Sequence, residues 1–464
     1  MHTPPIRAFR PSRTIFHKSI LADLLTPVSA FLRVAQGAER AFLLESVEGG
    51  EKIGRFSFIG ANPFQTFQGG LAEFRESFPP VEKAPSGLPP FTGGGVGLFS
   101  YDMVRELERL PDLKKRGPGA EASVLMDFYS TLLAFDHLKH QIIILSHDGM
   151  GEVEQLEKRL SGPVSSLERA SLPLEGARWR DTDSDLVVQS NFPKEAFCEA
   201  VETAKEYIAA GDIFQVVLSQ QFEAEFKGDP FDVYRALRFV NPSPYLFFLK
   251  LGETSIVGSS PEMLLRVHGR ELHYRPIAGT RRRGQTAEEE KELESELLRD
   301  EKERAEHIML VDLGRNDLGR VSEYGTVRVE ALMLLEKYSH VMHLVSALKS
   351  RLRSDLDRFD ALAACFPAGT VTGAPKVRAM EIIEQLEPSR RGVYAGAIGY
   401  LDFSGNLDTC IAIRTIVLRD GRARLQAGAG IVADSVPPLE YQECYNKAHA
   451  LIQALELARK LSPK

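Results

Sequence analysis

The sequence is poor in the residues that staple, anchor or coat a protein. Its 464 residues hold four cysteines and one tryptophan. Cys198, Cys365, Cys410 and Cys444 lie far apart, with no CxxC spacing. That excludes a disulfide scaffold and the common zinc ligand sets, and it fits thiols kept reduced in a cytoplasmic protein. Basic residues are not in excess: 57 Lys and Arg stand against 64 Asp and Glu, a net charge of −7. A broad nucleic-acid footprint is therefore not expected, and an anionic substrate must be gripped by local groups. No uninterrupted apolar run reaches membrane length, and Met1 to Arg13 mixes proline and arginine without an apolar leader core, so no membrane partner is expected.

What is present is a chain long enough for two domains. Short apolar strands broken by glycine occupy the first stretch, 14–160, including 41–44 and 142–145. A Pro/Gly-rich surface loop is expected between Phe78 and Gly95. The polar, irregular stretch 161–189 reads as a linker, and 190–460 as a second domain. That domain opens with a helix after Asn191 and Pro193 that stops at Gly211, followed by a strand over 213–220. Further strands are expected at 254–258, 263–267 and 272–277, with helices at 287–313, 340–351 and 356–364. Another helix follows Pro375, three strands fill 392–432, and a last helix spans 438–458.

Four glutamates stand out within this frame. Glu303 with Glu306, and Glu440 with Glu443, recur at helical spacing, and Lys447 follows one turn beyond Glu443. If 438–458 is helical, Glu440, Glu443 and Lys447 share a face. Such a face is either solvated or, joined to the first pair, suited to a hard divalent cation with an anionic ligand beside it. The run from Gly369 to Lys376 is a glycine-rich turn into a helix N-terminus, able to receive an oxyanion or simply to connect. Gly428, Ala429 and Gly430 end a strand with bare amides. Arg414 falls inside an apolar strand over 411–418, where a charge is costly unless paired.

Several longer motifs together resemble the chorismate-utilising enzymes. They are Pro276-Ile277-Ala278-Gly279-Thr280-Arg281, Ala305-Glu306-His307-Ile308-Met309-Leu310-Val311-Asp312, the Gly369 to Lys376 run, Gln426-Ala427-Gly428-Ala429-Gly430 and Glu440 to Lys447. Leu43-Leu44-Glu45-Ser46 and Gly54-Arg55-Phe56-Ser57-Phe58 extend the likeness into the first stretch. The resemblance implies an α+β fold of two intertwined domains, with sheets outside and helices between. It implies Mg2+ on Glu306 and Glu443, with Glu303 and Glu440 nearby. Substrate would be bound by Ala278, Gly279, Thr280, Tyr394, Arg414, Lys447 and the backbone of Gly428, Ala429 and Gly430. By the same resemblance Glu262 is a general acid that protonates a departing hydroxyl, and His343 with Thr370 serves the loss of pyruvate. On sequence alone His343 also reads as a core residue of an apolar helix.

Two positions bear on the reaction. Relatives that add water carry a lysine base where this chain has Gln215, and relatives that make aminodeoxychorismate carry a lysine in place of Ala278. Neither side chain here offers that chemistry, whereas ammonia brings its own lone pair. The expected reaction is therefore chorismate plus ammonia to anthranilate plus pyruvate, with an aminodeoxychorismate-forming enzyme or a silent tryptophan-binding regulator as the other readings. No cysteine lies in a Gly-x-Cys-x-Gly context, so ammonia is expected from a separate glutamine amidotransferase subunit in a hetero-oligomer. Ser46, Pro244, Tyr245 and Leu246 resemble the segments that bind tryptophan as a feedback inhibitor, although a buried strand end meeting a stiff turn has the same pattern.

Overall fold

The structure, a computed structural model, describes residues 14–46, 54–82, 84–114, 122–162, 186–338 and 341–461. Among these, twelve strands form one antiparallel sheet. Its order is β1 (Phe16–Leu21), β8 (Gln141–Ser146), β7 (Thr131–Asp136), β3 (Phe56–Ala61), β2 (Arg40–Glu45), β11 (Tyr245–Leu251), β12 (Thr254–Ser260), β21 (Thr415–Arg419), β22 (Arg422–Ile431), β10 (Gln215–Glu225) and β18 (Gly373–Ala374), with β9 (Gln189–Ser190) also on β10. Ten strands form the second sheet. They run β15 (Ile277–Arg282), β17 (Val341–Arg351), β14 (Glu271–Tyr274), β13 (Met263–His268), β20 (Leu407–Ile411), β19 (Ala397–Asp402), β5 (Gly94–Phe99), β6 (Val124–Tyr129) and β4 (Gln65–Gly69), with β16 (Arg328–Lys337) on β17.

The α+β class stands, and both sheets interleave strands from 14–160 with strands from 190–460, as where β2 pairs with β11 and β5 with β19. Most of the expected linker lies outside the described residues. The order of layers differs from expectation. Phe42, Phe58, Leu98, Phe247, Ile256 and Ile398 meet in an apolar layer between the two sheets, so the sheets face each other directly. Strand alternation explains this: Phe42 turns to the inner layer while its neighbours Ala41 and Leu43 join a core on the outer face. Helices α1 (Pro27–Val34), α4 (Met150–Leu160), α6 (Pro230–Val240) and α11 (Pro437–Leu461) cover that outer face. Helices α2 (Leu71–Ser77), α3 (Val104–Leu107), α8 (Glu301–Gly319) and α9 (Arg358–Cys365) cover the second sheet. Helices α5 (Lys194–Ala209) and α10 (Lys376–Leu386) pack with α11 on β10 and β22.

Three sequence expectations are corrected. Residues 341–351 form strand β17, not a helix, because the apolar run suits either period and pairing with β14, β15 and β16 settles it. The expected helix over 287–313 is two, α7 (Ala287–Arg299) and α8, divided at Asp300, whose carboxylate caps α8 by accepting from Glu303 N. The stretch 392–432 holds four strands, not three. The apolar run over 411–418 is broken at Arg414, whose φ is +50°.

That break matters because β20 belongs to one sheet and β21 to the other. The chain also changes sheets between β12 and β13, through Pro261 and Glu262. Both passages lie side by side: Ser259 N donates to Arg414 O at 3.1 Å, and Ile411 N donates to Glu262 O at 3.0 Å.

Candidate functional site

The paired passages place a buried carboxyl and a partly buried guanidinium in one corner. Glu262 is 5% exposed. Burial raises its pKa to about 8, against the pull of the Thr370 hydroxyl, the Ile277 backbone and the Arg414 charge. Thr370 stands on a single helical turn at Gly369–Val371, and its hydroxyl completes no hydrogen bond of good geometry. Arg414 is itself held below its usual pKa by burial, with Glu262 opposing, and reaches Asn241 Oδ1 only at 3.5 Å. A neutral acid and a weakly satisfied cation thus sit together.

His343 enters from β17. Its Nδ1 lies 3.0 Å from Gly279 O and 3.0 Å from Thr280 Oγ1, while Nε2 is buried without a partner. The Gly279 carbonyl requires a proton on Nδ1, so the lone pair rests on Nε2. Burial, with Arg414 adding to it, lowers the ring's pKa to about 4, which keeps it neutral near pH 7. The contact depends on a bulge in β15 between Ala278 and Thr280, where Gly279 adopts φ +70°. Ala278 itself pairs with Leu344.

The four glutamates converge from α8 and α11. Gln215 Nε2 donates to Glu306 Oε1 at 3.0 Å. The pKa of Glu306 is raised by burial first and by Glu303 and Glu443, with Gln215 and Lys447 opposing. Burial also raises Glu440, and Glu443 adds to it. Glu303 pairs with Arg281, whose Nη1 lies 3.1 Å from it and which also binds Glu296 and Asp300. Lys447 Nζ reaches Glu443 Oε1 at 2.7 Å and Gly428 O at 3.0 Å, so the expected single helix face is real. No group of three or more His, Cys, Asp and Glu side chains among the described residues forms a metal cage. Glu306 and Glu443 instead offer a pair of hard oxygen donors whose mutual repulsion a cation would relieve, and two carboxylates with water and an anionic ligand suit Mg2+.

Bare backbone completes the wall. A Cβ on Gly428 would come within 2.8 Å of Tyr394 Oη and 2.9 Å of Leu218 O, and one on Gly430 within 2.5 Å of Gln215 Nε2. Ala429 is fully buried between them. Within the Gly369 to Lys376 run, several polar side chains and one backbone pair are already engaged. Lys376 Nζ binds Asp317 at 2.7 Å, the Thr372 hydroxyl binds Ala368 O at 2.9 Å, and Gly373–Ala374 pairs with β10, while the Thr370 hydroxyl is turned toward Glu262.

The tryptophan-like segments adjoin, and Tyr245 is the register partner of Ser260, two residues before Glu262. Glu45 is the register partner of Leu246, and Ser46 follows with its Oγ buried and unpartnered. Pro244 is buried in the stiff turn just ahead of β11. Tyr245 donates to Asp408 at 3.0 Å across the two sheets. Leu246 is 1% exposed and faces the outer core, so its side chain is spent on packing. Sequence reasoning missed Glu387 and Arg391, a buried pair behind Tyr394; two charges at i, i+4 read as solvated until the tertiary structure encloses them. The cavity of about 930 Å³ lined by Arg391, Tyr394 and Gln426 lies beside this pair and not over Glu262.

The sequence pattern of the chorismate binding enzymes matches residues 39–453. The chain belongs to the chorismate binding enzyme family. Two curated members are similar over nearly their whole length. Anthranilate synthase component 1 of Acetivibrio thermocellus is 50% identical, covering 95% of this chain and 94% of its own. That of Thermus thermophilus is 48% identical, covering 96% and 98%. Among solved structures, anthranilate synthase component I from Streptococcus pneumoniae superposes with a TM-score of 0.74 at 37% identity, over 93% of this chain and 99% of that one. No helix among the described residues is long and apolar enough to cross a membrane.

The burial of Glu262 sets a pH test. Unfolded, the carboxyl ionises near its ordinary value of 4.5, and folded near 8. Between these values the folded state binds the extra proton, so stability falls as pH rises through this window. Glu262→Gln abolishes that dependence. The Tm of wild type should fall relative to Glu262→Gln from pH 5 to 8, by the equivalent of a few kcal/mol at about 1.4 kcal/mol per pKa unit. Parallel Tm curves for the two proteins would contradict the buried, protonated carboxyl.

Proposed function

We propose that the chain is the synthase component of an anthranilate synthase, a lyase that converts chorismate and ammonia to anthranilate and pyruvate. The observation that carries this reading is the neutral amide of Gln215, bound to Glu306 in the ring of groups that also includes Gly430. Water needs a base to become a nucleophile and ammonia does not. Ala278, short and on the β15 bulge, supplies no amine of its own. The names of the similar proteins agree.

In this reading Arg414, Tyr394, Lys447 and the amides of Gly428 to Gly430 grip the carboxylates of chorismate, and Ala278, Gly279 and Thr280 line the opposite side. Glu306 and Glu443 would hold Mg2+, with Glu303 and Glu440 in support; bound there, the ion supplies charge that fixes and polarises a substrate carboxylate. Glu262, protonated at neutral pH, gives its proton to the departing hydroxyl as ammonia attacks. Nε2 of His343, the lone pair left free by the Gly279 contact, takes a proton as pyruvate leaves, and the Thr370 hydroxyl beside Glu262 assists. Burial holds all four thiols above their ordinary pKa, so none is a poised glutaminase nucleophile. Ammonia then comes from a glutamine amidotransferase subunit, in a cytoplasmic hetero-oligomer.

The test is the product. Incubated with chorismate, Mg2+ and an ammonium salt at alkaline pH, the protein should form fluorescent anthranilate, and EDTA should stop it. Glu306→Gln or Glu443→Gln should lose most turnover, about a hundredfold, with Tm within a few degrees of wild type. Undiminished turnover in either variant would reject the metal assignment, and a different product would reject the reaction.

Tryptophan is the proposed inhibitor, held where β2 and β11 meet. The orphan hydroxyl of Ser46 suits the polar end of an amino acid, beside the stiff Pro244 turn and the Tyr245 ring. Binding there weakens chorismate affinity and, by linkage, chorismate weakens tryptophan binding by the same factor. Ser46→Phe should leave catalysis within about twofold of wild type and abolish inhibition. Equal inhibition of both proteins, or no calorimetric tryptophan binding to wild type, would remove this site.

A further inference from the structure

We propose that the buried pair Glu387 and Arg391 is a positioning hub that sets three separate walls of the chorismate site at once; this rests on the function proposed above. The two side chains are each 1% exposed and doubly bonded, with Nη2 to Oε1 at 2.7 Å and Nε to Oε2 at 3.1 Å. Although burial opposes the charge, Glu387 holds the Arg391 pKa above its ordinary value, so the guanidinium stays charged.

Each remaining bond leads to a group the site needs. Arg391 Nη1 donates to Val371 O at 2.6 Å, on the short turn that presents Thr370. Nη2 donates to Val217 O at 2.8 Å, in β10. The other partner reaches the same strand: Glu387 Oε1 accepts from Ser219 N at 2.8 Å and from its Oγ at 2.7 Å. Ser219 is the register partner of Gly428 in β22, and its Oγ also accepts from Gln426 at 2.8 Å. The guanidinium lies 5.4 Å from the centre of the Tyr394 ring and 4.9 Å from that of Tyr101. The Thr370 turn, the Gly428 strand edge and Tyr394 thus share one anchor, although they are brought in by different elements.

A buried ion pair is weak evidence of stability, because apolar replacements of equal volume often hold a core as well. What apolar side chains cannot do is bind two carbonyls from separate elements in fixed directions while stacking on two rings. The planar fork of arginine can, and a lysine cannot. The groups governed here are those whose placement the substrate senses, and small misplacements of such groups cost large factors in rate.

The experiment measures chorismate consumption with Mg2+ and ammonium, so that KM and kcat are read whatever product forms. Arg391→Lys keeps the charge and loses the fork, and Glu387→Gln keeps the shape and loses the charge. Each should raise KM for chorismate about tenfold and lower kcat, well beyond the change in folded fraction seen by Tm. In Arg391→Ala, guanidinium ion entering from the adjacent cavity should restore KM, and equal sodium chloride should not. Ser219→Ala, which keeps the pair and the core, gives the reading if the charge variants do not fold: a rise in KM of a few-fold supports the hub. Wild-type KM and kcat per folded molecule in Arg391→Lys and Glu387→Gln, or in Ser219→Ala where those do not fold, would overturn it. A wild type that consumes chorismate without forming anthranilate counts against the proposed reaction alone, and one that consumes none overturns both.

Discussion

Two passages of chain from one sheet to the other, run side by side, are the constraint on which this molecule turns. Strands β12 and β21 pair in the first sheet and β13 and β20 in the second, so the links between them must cross the interlayer together. Backbone bonds from Ser259 to Arg414 and from Ile411 to Glu262 lock the crossing. A crossing strand cannot keep its alternation through the corner, and side chains there face neither core nor water in the ordinary way. Glu262 and Arg414 occupy that place.

The electrostatics follow from the position. Desolvation dominates at Glu262 and at His343, pushing a carboxyl up and an imidazole down, so that both are neutral near pH 7 with opposite proton inventories. One has a proton to give and the other a lone pair to fill. The carboxylates of α8 and α11 lie nearer the surface, where Lys447 and Arg281 partly compensate them. The two neutral groups are thereby kept apart from the charged ones within the candidate site.

Much of the candidate site can be read from the chain, and the reasons differ by residue. Glu440, Glu443 and Lys447 were legible because helical spacing alone puts them on one face, and Gly428 and Gly430 because a bare amide has a recognisable sequence. The fold was less legible where period was ambiguous. The run Val341-Met342-His343-Leu344 fits helix or strand, and only the three strands around β17 decide it. Arg414 reads as a charge in a strand because nothing local announces a change of sheet. Glu387 and Arg391 could not be found at all without the enclosure that β10, Tyr101 and Tyr394 provide. The order of layers, too, is a property of which faces meet, and no single strand encodes it.

The central claim is that the corner keeps the Glu262 carboxyl protonated at neutral pH. Carbon-13 NMR of glutamate-labelled protein, with the Glu262 signal assigned by its loss in Glu262→Gln, titrates that group directly. A midpoint near 8 is the expected result. A midpoint near 4.5, the ordinary glutamate value, would contradict it.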